Sequence, residues 1–324
     1  MNKVEFQTKR TVPKNISKLL KRCLGYDGEK TYKIVGVIMS IYKSQVGKTV
    51  SLKLYDEQMI KVGSPFKDIY VDTSFGKTHL IESGNLNGKA LLVFHGGNST
   101  TAYNLLMCKF LLNDFHVYAV DIIGHPGKSD EVKLSSNNYD YGKWADEVIT
   151  KLGFSKIKCF GGSFGGGVLA KLMCVAPEKV DRAVLIVPAG INNAFPISSA
   201  KMMLPLIKYC MTKKEKYLIE TALFMAIKED VLDADTLAII KDSFDNVKTK
   251  VGMPSNVSKK LMLKCKAATL VMASEMDCLF PARKVLSRAK KIIINCKVHK
   301  LEGCGHMHIM PERERKMIID FLNS

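Results

Sequence analysis

Apolar and polar positions change their spacing repeatedly along the chain from residue 66 onward. Short segments with the pattern of strands, several of them continuously apolar, occupy residues 69–73, 78–82, 90–94, 116–120, 157–160, 183–187, 268–273 and 297–301. Segments with helical spacing lie between them, at residues 99–112, 140–152, 168–175, 282–290 and 311–322. Strands that alternate with helices form parallel sheets, and their buried strands are continuously apolar. The pattern predicts an α/β fold with a doubly wound, mostly parallel sheet and helices on both faces.

The alternation stops between residues 192 and 261, where methionine, lysine and helical spacing are frequent. We interpret this stretch as a helical cap inserted into a domain that spans residues 66–324. Residues 1–65 carry two helical patterns, at residues 16–24 and 34–42. They predict an N-terminal helical extension that docks on the main domain or on another subunit. Lysines within the first pattern leave a membrane-surface role open for it.

A glycine cluster follows the strand predicted at residues 157–160, and it contains the pattern Gly-x-Ser-x-Gly from Gly161 to Gly165. On a sharp turn from strand to helix, glycines on either side of a serine let the two elements approach closely. The N-terminus of the following helix favours developing negative charge. A phosphate-binding loop is the alternative, but its glycine spacing fits this segment poorly. We therefore predict that Ser163 is a nucleophile.

A serine nucleophile needs a base to take its proton and an acid to orient that base. On this kind of turn the two partners follow the serine along the chain, acid before histidine, each after a strand. Asp277 and His306 meet that order, and Gly305 fits a sharp loop that brings the imidazole back over the sheet. Glu275 is the competing acid and His308 is the competing base. The sequence predicts Asp277 and His306 and leaves both alternatives open.

Acyl transfer also needs hydrogen-bond donors for the oxyanion. One is predicted to be the backbone N–H of Phe164, and the other the backbone N–H of Gly97, in the loop after an apolar strand. Asn98 is a candidate for a further donor to the substrate. The segment at residues 121–129 has the composition of a turn and is interpreted as structural, at the border of the pocket. Its His125 precedes the serine, so chain order argues against a role as base.

The composition is that of an ordinary globular protein, with 47% hydrophobic and 25% charged residues in 324. No apolar run approaches the ~18 residues of a membrane span, and the N-terminus lacks the pattern of a signal peptide. Nine cysteines, odd in number and irregularly spaced, indicate reduced thiols and a cytoplasmic protein. Cys304, His306 and His308 form one short cluster without a second group of ligands, so we expect no metal site.

The formal net charge is +18, mostly from lysine. Such a surplus is compatible with nucleic acid or an anionic membrane surface as a partner. The lysines are scattered and rarely alternate with aromatic residues, which favours a general surface property. We expect no nucleic-acid partner.

Together these features resemble the α/β-hydrolase superfamily. The markers, in chain order, are residues 95–97, 121–129 and 161–165, then Asp277 and His306. The resemblance covers about residues 66–324. It implies an eight-stranded, mostly parallel sheet, a cap over the active site, and esterase-type chemistry without a cofactor.

The residues and the resemblance predict a carboxylesterase-like serine hydrolase that cleaves a small to medium ester through an acyl-enzyme. Met202, Met203, Met211 and Met225 indicate an adaptable apolar pocket under the cap, although core packing explains methionines equally well. The alternative is a ligand-sensing protein with little or no catalysis, which docks a partner through its N-terminal residues. The sequence identifies neither the substrate nor the oligomeric state.

Overall fold

The structure, a computed structural model, describes residues 40–193, 202–248 and 252–324. The helical pattern at residues 16–24 lies outside these residues, and so does nearly all of the pattern at residues 34–42. The N-terminal extension and its boundary therefore stay predictions.

Eight strands of the described residues form one sheet, in the order β1-β2-β4-β3-β5-β6-β7-β8. They are β1 (Phe66–Thr73), β2 (Gly76–Gly84), β3 (Lys89–Phe94), β4 (Phe115–Val120), β5 (Ile157–Gly162), β6 (Val180–Ile186), β7 (Ala268–Ser274) and β8 (Cys296–Leu301). Strand β2 is antiparallel to both of its neighbours, and β3 to β8 pair in parallel. The predicted fold class, a mostly parallel eight-stranded sheet, is confirmed.

The same residues contain ten α-helices. They are α1 (Gln45–Val62), α2 (Thr101–Met107), α3 (Asp140–Lys151), α4 (Phe164–Val175), α5 (Met203–Thr212), α6 (Glu215–Ala226), α7 (Ala234–Asp245), α8 (Lys259–Met262), α9 (Ala282–Ile292) and α10 (Glu312–Asn323). Three single 3₁₀ turns occupy Lys109–Leu111, Pro177–Lys179 and Glu229–Val231.

Helices cover both faces of the sheet, because successive residues of a strand point to opposite faces. In β3, Leu92 and Phe94 belong to an apolar cluster that includes buried residues of α3, α4 and α9. Leu91 and Val93 belong to a second cluster, formed with α1, α2 and α10. Both faces of the central strands are therefore buried, which explains why their sequences are continuously apolar.

Helices α5, α6 and α7 lie between β6 and β7 in the chain and share a small apolar core of their own. We call them the cap helices. Their buried cluster consists of Tyr209, Leu218, Ala222, Ile239 and Ile240. Partly buried residues of α1 and α2, Leu54 and Tyr103, pack against it. These contacts connect the cap helices to the elements beside the carboxyl end of β3.

Candidate active site

Ser163 lies on the turn that joins β5 to α4. Its backbone has φ 50° and ψ −115°, a conformation that non-glycine residues rarely adopt. The N–H of Ser163 donates to the carbonyl of Ile186 at 2.9 Å. The carbonyl of Ser163 accepts from Gly167 at 3.1 Å and from Ala189 at 3.0 Å. These bonds hold the strained residue, and such strain is typical of functional sites.

Glycines two residues to either side of Ser163 allow β5, α4 and β3 to approach one another. A Cβ at Gly161 would lie 2.6 Å from the carbonyl oxygen of Gly165. A Cβ at Gly165 would lie 2.4 Å from the carbonyl oxygen of Phe94. Neither position has room for a side chain, so the Gly-x-Ser-x-Gly spacing follows from the packing of the turn.

Three side chains that are distant in sequence lie in a line at this turn. The Ser163 Oγ is 3.0 Å from His306 Nε2, and His306 Nδ1 is 2.9 Å from Asp277 Oδ2. A carboxylate only accepts, so Nδ1 of His306 carries the proton and Nε2 is left to accept from the serine hydroxyl. This is the relative geometry that a base needs to deprotonate a nucleophile.

The Asp277 carboxylate is held on both oxygens. Oδ1 accepts from the backbone N–H groups of Leu279 at 2.7 Å and Phe280 at 2.9 Å, while Oδ2 faces His306. Its side chain is fully buried. The ring of Phe280 packs against the imidazole with 5.5 Å between centroids. The imidazole is therefore oriented by a carboxylate on one side and an aromatic edge on another.

The two competing residues have other surroundings. Glu275 is exposed, accepts from Lys300 Nζ at 2.8 Å and accepts from the N–H of Gly303 at 3.0 Å. His308 Nδ1 lies 3.2 Å from the carbonyl of Gly305, and burial lowers the pKa of this histidine below its ordinary value. Neither residue is within hydrogen-bond distance of Ser163 among the contacts of the described residues.

The proposed oxyanion donors lie on two neighbouring segments. A Cβ at Gly97 would lie 3.3 Å from the Cβ of Phe164, so the loop after β3 runs against the start of α4. Phe164 is the first residue of α4, where the backbone N–H has no partner within the helix. Asn98 has φ 52° and lies at the wall of the cavity described below, with its N–H donating to His125 Nδ1 at 3.3 Å.

Buried polar residues around the loop after β3 fix its position. Asp121, at the end of β4, accepts from the N–H of Thr101 at 3.2 Å and of Lys128 at 2.9 Å. His79 Nδ1 is 2.7 Å from the same carboxylate. Burial raises the pKa of Asp121, but the bond and charge of His79 outweigh it and keep the pKa below its ordinary value. His125 is also buried, and desolvation holds its pKa far below the ordinary value.

A cavity of about 470 Å³ lies beside Ser163 and His306. No Asp, Glu, Lys or Arg lines it among the described residues, and most of its wall is apolar. Of the four methionines named from the sequence, Met202 and Met225 line the cavity, whereas Met203 and Met211 are exposed. The cavity is therefore suited to uncharged, apolar groups.

Sequence reasoning missed polar groups on α2 and at the residue directly after it that also line this cavity. The amide nitrogen of Asn104 is buried without a hydrogen-bond partner in the described part of the chain. Burial raises the pKa of the Cys108 thiol to about 12, so this cysteine is neutral and unreactive. Only the position of α2 against the loop after β3 brings these groups to the cavity, and no motif marks them.

Across the residues that the structure covers, no three His, Cys, Asp or Glu side chains group in a way that could hold a metal ion. None of the helices in that part of the chain is long and apolar enough to cross a membrane.

Comparison with known proteins agrees with this architecture. A family model described as the alpha/beta hydrolase fold matches residues 89–209. Carboxylesterase YbfK of Bacillus subtilis (strain 168) is 25% identical over 279 residues, which are 83% of this chain and 92% of that protein. Monoacylglycerol lipase ABHD6 of Homo sapiens is 26% identical over 259 residues, 72% of this chain and 75% of that protein.

Among solved structures, naproxen esterase (carboxylesterase NP) from Bacillus subtilis superposes with a TM-score of 0.74 at 22% identity. The superposition covers 87% of this chain and all of that one. The sheet order and these similarities show that the chain has the α/β-hydrolase fold, and it is similar to esterase-like proteins of that fold. Its relatives by sequence include two named carboxylesterases, which supports hydrolase activity at that general level.

Proposed function

We propose that this protein is a serine hydrolase that cleaves a small to medium carboxylic ester through an acyl-enzyme intermediate. One observation carries the proposal. The Ser163 Oγ lies 3.0 Å from His306 Nε2, and the other nitrogen of that imidazole lies 2.9 Å from a buried Asp277 carboxylate, at the wall of an apolar cavity.

In the first step the Ser163 oxygen attacks the carbonyl carbon while His306 Nε2 takes the hydroxyl proton. The Asp277 carboxylate stabilises the imidazolium that forms. The oxyanion of the tetrahedral intermediate accepts hydrogen bonds from the N–H groups of Gly97 and Phe164. The intermediate collapses, the ester C–O bond breaks, and His306 gives its proton to the departing alcohol.

In the second step water enters and His306 takes one of its protons as the oxygen attacks the acyl carbon. A second tetrahedral intermediate collapses, the bond to the Ser163 oxygen breaks, and His306 returns the proton to the serine. The acid leaves and the free enzyme is restored. Every proton is transferred through the His306 imidazole and no atom changes its oxidation state, so the reaction as proposed needs no cofactor.

The substrate class follows from the cavity wall. Burying a charge without a partner costs several kcal/mol, and the described lining offers no Lys or Arg to pair an anionic substrate. Neutral esters with apolar acyl or alcohol groups are therefore favoured. Two relatives, a carboxylesterase and a monoacylglycerol lipase by name, agree with ester chemistry. Asn98 is proposed to add a polar contact to the substrate at the same wall.

The proposal is tested with purified protein on p-nitrophenyl esters of increasing acyl length and with a fluorophosphonate probe. Ser163→Ala should lower kcat/KM by at least about a thousandfold and abolish labelling. Ser243→Ala is the matched control, because Ser243 also lines the cavity but has no histidine partner in the described structure. Its turnover should stay within a few-fold. Undiminished turnover in Ser163→Ala, or an adduct mapped to another residue, would remove Ser163 from the reaction.

A further inference from the structure

Helix α5 presents apolar side chains on two opposite sides. Leu206, together with Met202 just before the helix, lines the cavity. On the other side, Met203 is 47% exposed, Leu204 60%, Ile207 50% and Met211 80%. We call these four exposed residues the α5 stripe.

The α5 stripe is continuous along the helix. Leu204, Ile207 and Met211 follow one another at spacings of three and four residues, which places them on one face. Soluble proteins expose single apolar residues routinely, but large apolar side chains that adjoin one another mark an interaction surface. The cap helices thus carry a surface whose partner is not within the described chain.

The sequence segment that contains the α5 stripe carries charges of one sign. Between Ile191 and Lys214 the sequence contains four lysines and no acidic residue. Lys208 and Lys214 are exposed beside the stripe, and Lys213 pairs with Asp245 at 2.6 Å. The next acidic residue in the sequence is Glu215, at the start of α6. The whole chain has a formal net charge of +18.

We propose that the α5 stripe docks this protein on an anionic lipid surface. An apolar helix face flanked by lysines inserts its side chains at the boundary of headgroups and acyl chains, while the ammonium groups reach the phosphates. A second copy of the chain fits the stripe less well, because pairing two such faces brings two lysine-bearing segments together. Docking requires neither Ser163 nor turnover, so it is measured separately from the proposed reaction.

The first test is sedimentation of the full chain with vesicles. Phosphatidylcholine vesicles that contain about a third phosphatidylglycerol should bind the protein, pure phosphatidylcholine vesicles should bind it more weakly, and high salt should weaken the binding. The triple variant Leu204→Ser, Ile207→Ser, Met211→Ser should bind at least about tenfold more weakly. Its turnover of a soluble short-chain ester should match that of the wild type, since none of the three residues lines the cavity.

A matched control replaces exposed apolar residues elsewhere. Leu86 is 67% exposed and Ile294 is 46% exposed. Both precede the amino end of a strand, whereas Ser163 follows the carboxyl end of one. The variant Leu86→Ser, Ile294→Ser should bind vesicles like the wild type. Absence of wild-type binding to anionic vesicles, or equal binding by the triple variant, overturns the proposal.

The accessibility of the Cys210 thiol reports whether this helix is covered, because Cys210 is exposed on α5. Maleimide labelling of Cys210, followed by peptide mass spectrometry, should be fast in the free protein and slow with anionic vesicles. Slow labelling without vesicles would mean that another part of the chain or a second copy already covers the stripe. If the wild type is a dimer and the triple variant is a monomer, the α5 stripe is a self-association surface and the proposal of lipid docking is wrong.

Discussion

At the residue scale, Asp277 shows how a buried charge is maintained by its neighbours. Its carboxylate has no contact with solvent, and isolated burial of such a group is costly. Two backbone N–H groups and the His306 imidazole supply hydrogen bonds to its two oxygens. The carboxylate is thus satisfied in the resting state and lies where a positive charge on His306 would be stabilised.

Replacing Asp277 by Asn should lower kcat by about a thousandfold to ten-thousandfold, because an amide nitrogen facing Nδ1 favours the wrong tautomer of His306. Kinetics on p-nitrophenyl butyrate, with circular dichroism to check folding, would measure this. Glu275→Gln is the control: its carboxylate bonds Lys300 and Gly303 at the surface and should matter less than twofold. A large loss in Glu275→Gln with an active Asp277→Asn would exchange their roles.

The order of motifs along the chain sufficed to select Ser163, Asp277 and His306 as candidates, because the acid and the histidine each follow a strand of a parallel sheet. The order could not separate Asp277 from Glu275, two residues away on the same loop. That distinction depends on which side chain faces the interior, and the structure shows it in the bonds of Asp277 to His306 and to the N–H groups of Leu279 and Phe280.

At the scale of elements, the turn between β5 and α4 depends on close backbone contact. Gly161→Ala or Gly165→Ala would press a methyl group into a backbone carbonyl, since the Cβ would lie 2.6 Å or 2.4 Å from its oxygen. We expect each to lower the free energy of unfolding by about 2–4 kcal/mol. Thermal unfolding followed by circular dichroism would measure the loss.

Gly162 provides the matched control for this prediction. It lies in the same turn, but a Cβ there would meet nothing within 4 Å. Gly162→Ala should therefore change the melting temperature by no more than about 2 °C. If all three substitutions lowered the melting temperature equally, the contact of the new methyl group with a backbone carbonyl would not be the cause of the loss.

Helix α1 shows which elements the apolar pattern cannot reveal. Its buried face includes Gly47, Ser51 and Gln58, whereas Val46 and Ile60 are exposed. Helix α7 of the cap helices bonds two of the buried polar groups: the hydroxyl of Ser51 donates to Asp242 at 2.8 Å, and the amide nitrogen of Gln58 donates to the carbonyl of Asp235 at 3.3 Å. Helical periodicity is detectable when the apolar residues face the core, and here polar contacts replace part of the apolar stripe. The central strands of the sheet, which carry continuous apolar runs, were predictable for the opposite reason.

At the scale of the whole molecule, titratable groups whose pKa differs from its ordinary value in the folded chain make stability depend on pH in two ranges. Burial lowers the pKa of His95, His125 and His308 below their ordinary value near 6.5. Asp68 and Asp121 behave differently: burial raises their pKa, but bonds with His79 outweigh this and keep the pKa below the ordinary 3.8. Protonation of the histidines therefore lowers the free energy of unfolding in mild acid, whereas protonation of these carboxylates lowers it only in stronger acid.

The sign for the histidines follows from proton linkage. The folded chain keeps the three imidazoles neutral, whereas the unfolded chain binds protons below about pH 6.5. Their contribution is fully present above that pH and is lost as the pH falls toward the lower folded pKa values. Each imidazole removes at most about 1.4 kcal/mol per pH unit from the free energy of unfolding. The free energy of unfolding should thus fall between pH 7 and pH 5.

Urea unfolding followed by the fluorescence of Trp144, the single tryptophan and fully buried, measures this slope. His308→Gln removes one of the three groups without adding a charge, and its free energy of unfolding should fall less steeply between pH 7 and pH 5 than that of the wild type. The comparison uses slopes, so a constant loss of packing in the variant does not affect it. A wild-type stability that stays level through this range, or a variant with an unchanged slope, would mean that protons enter the folded core without disrupting it.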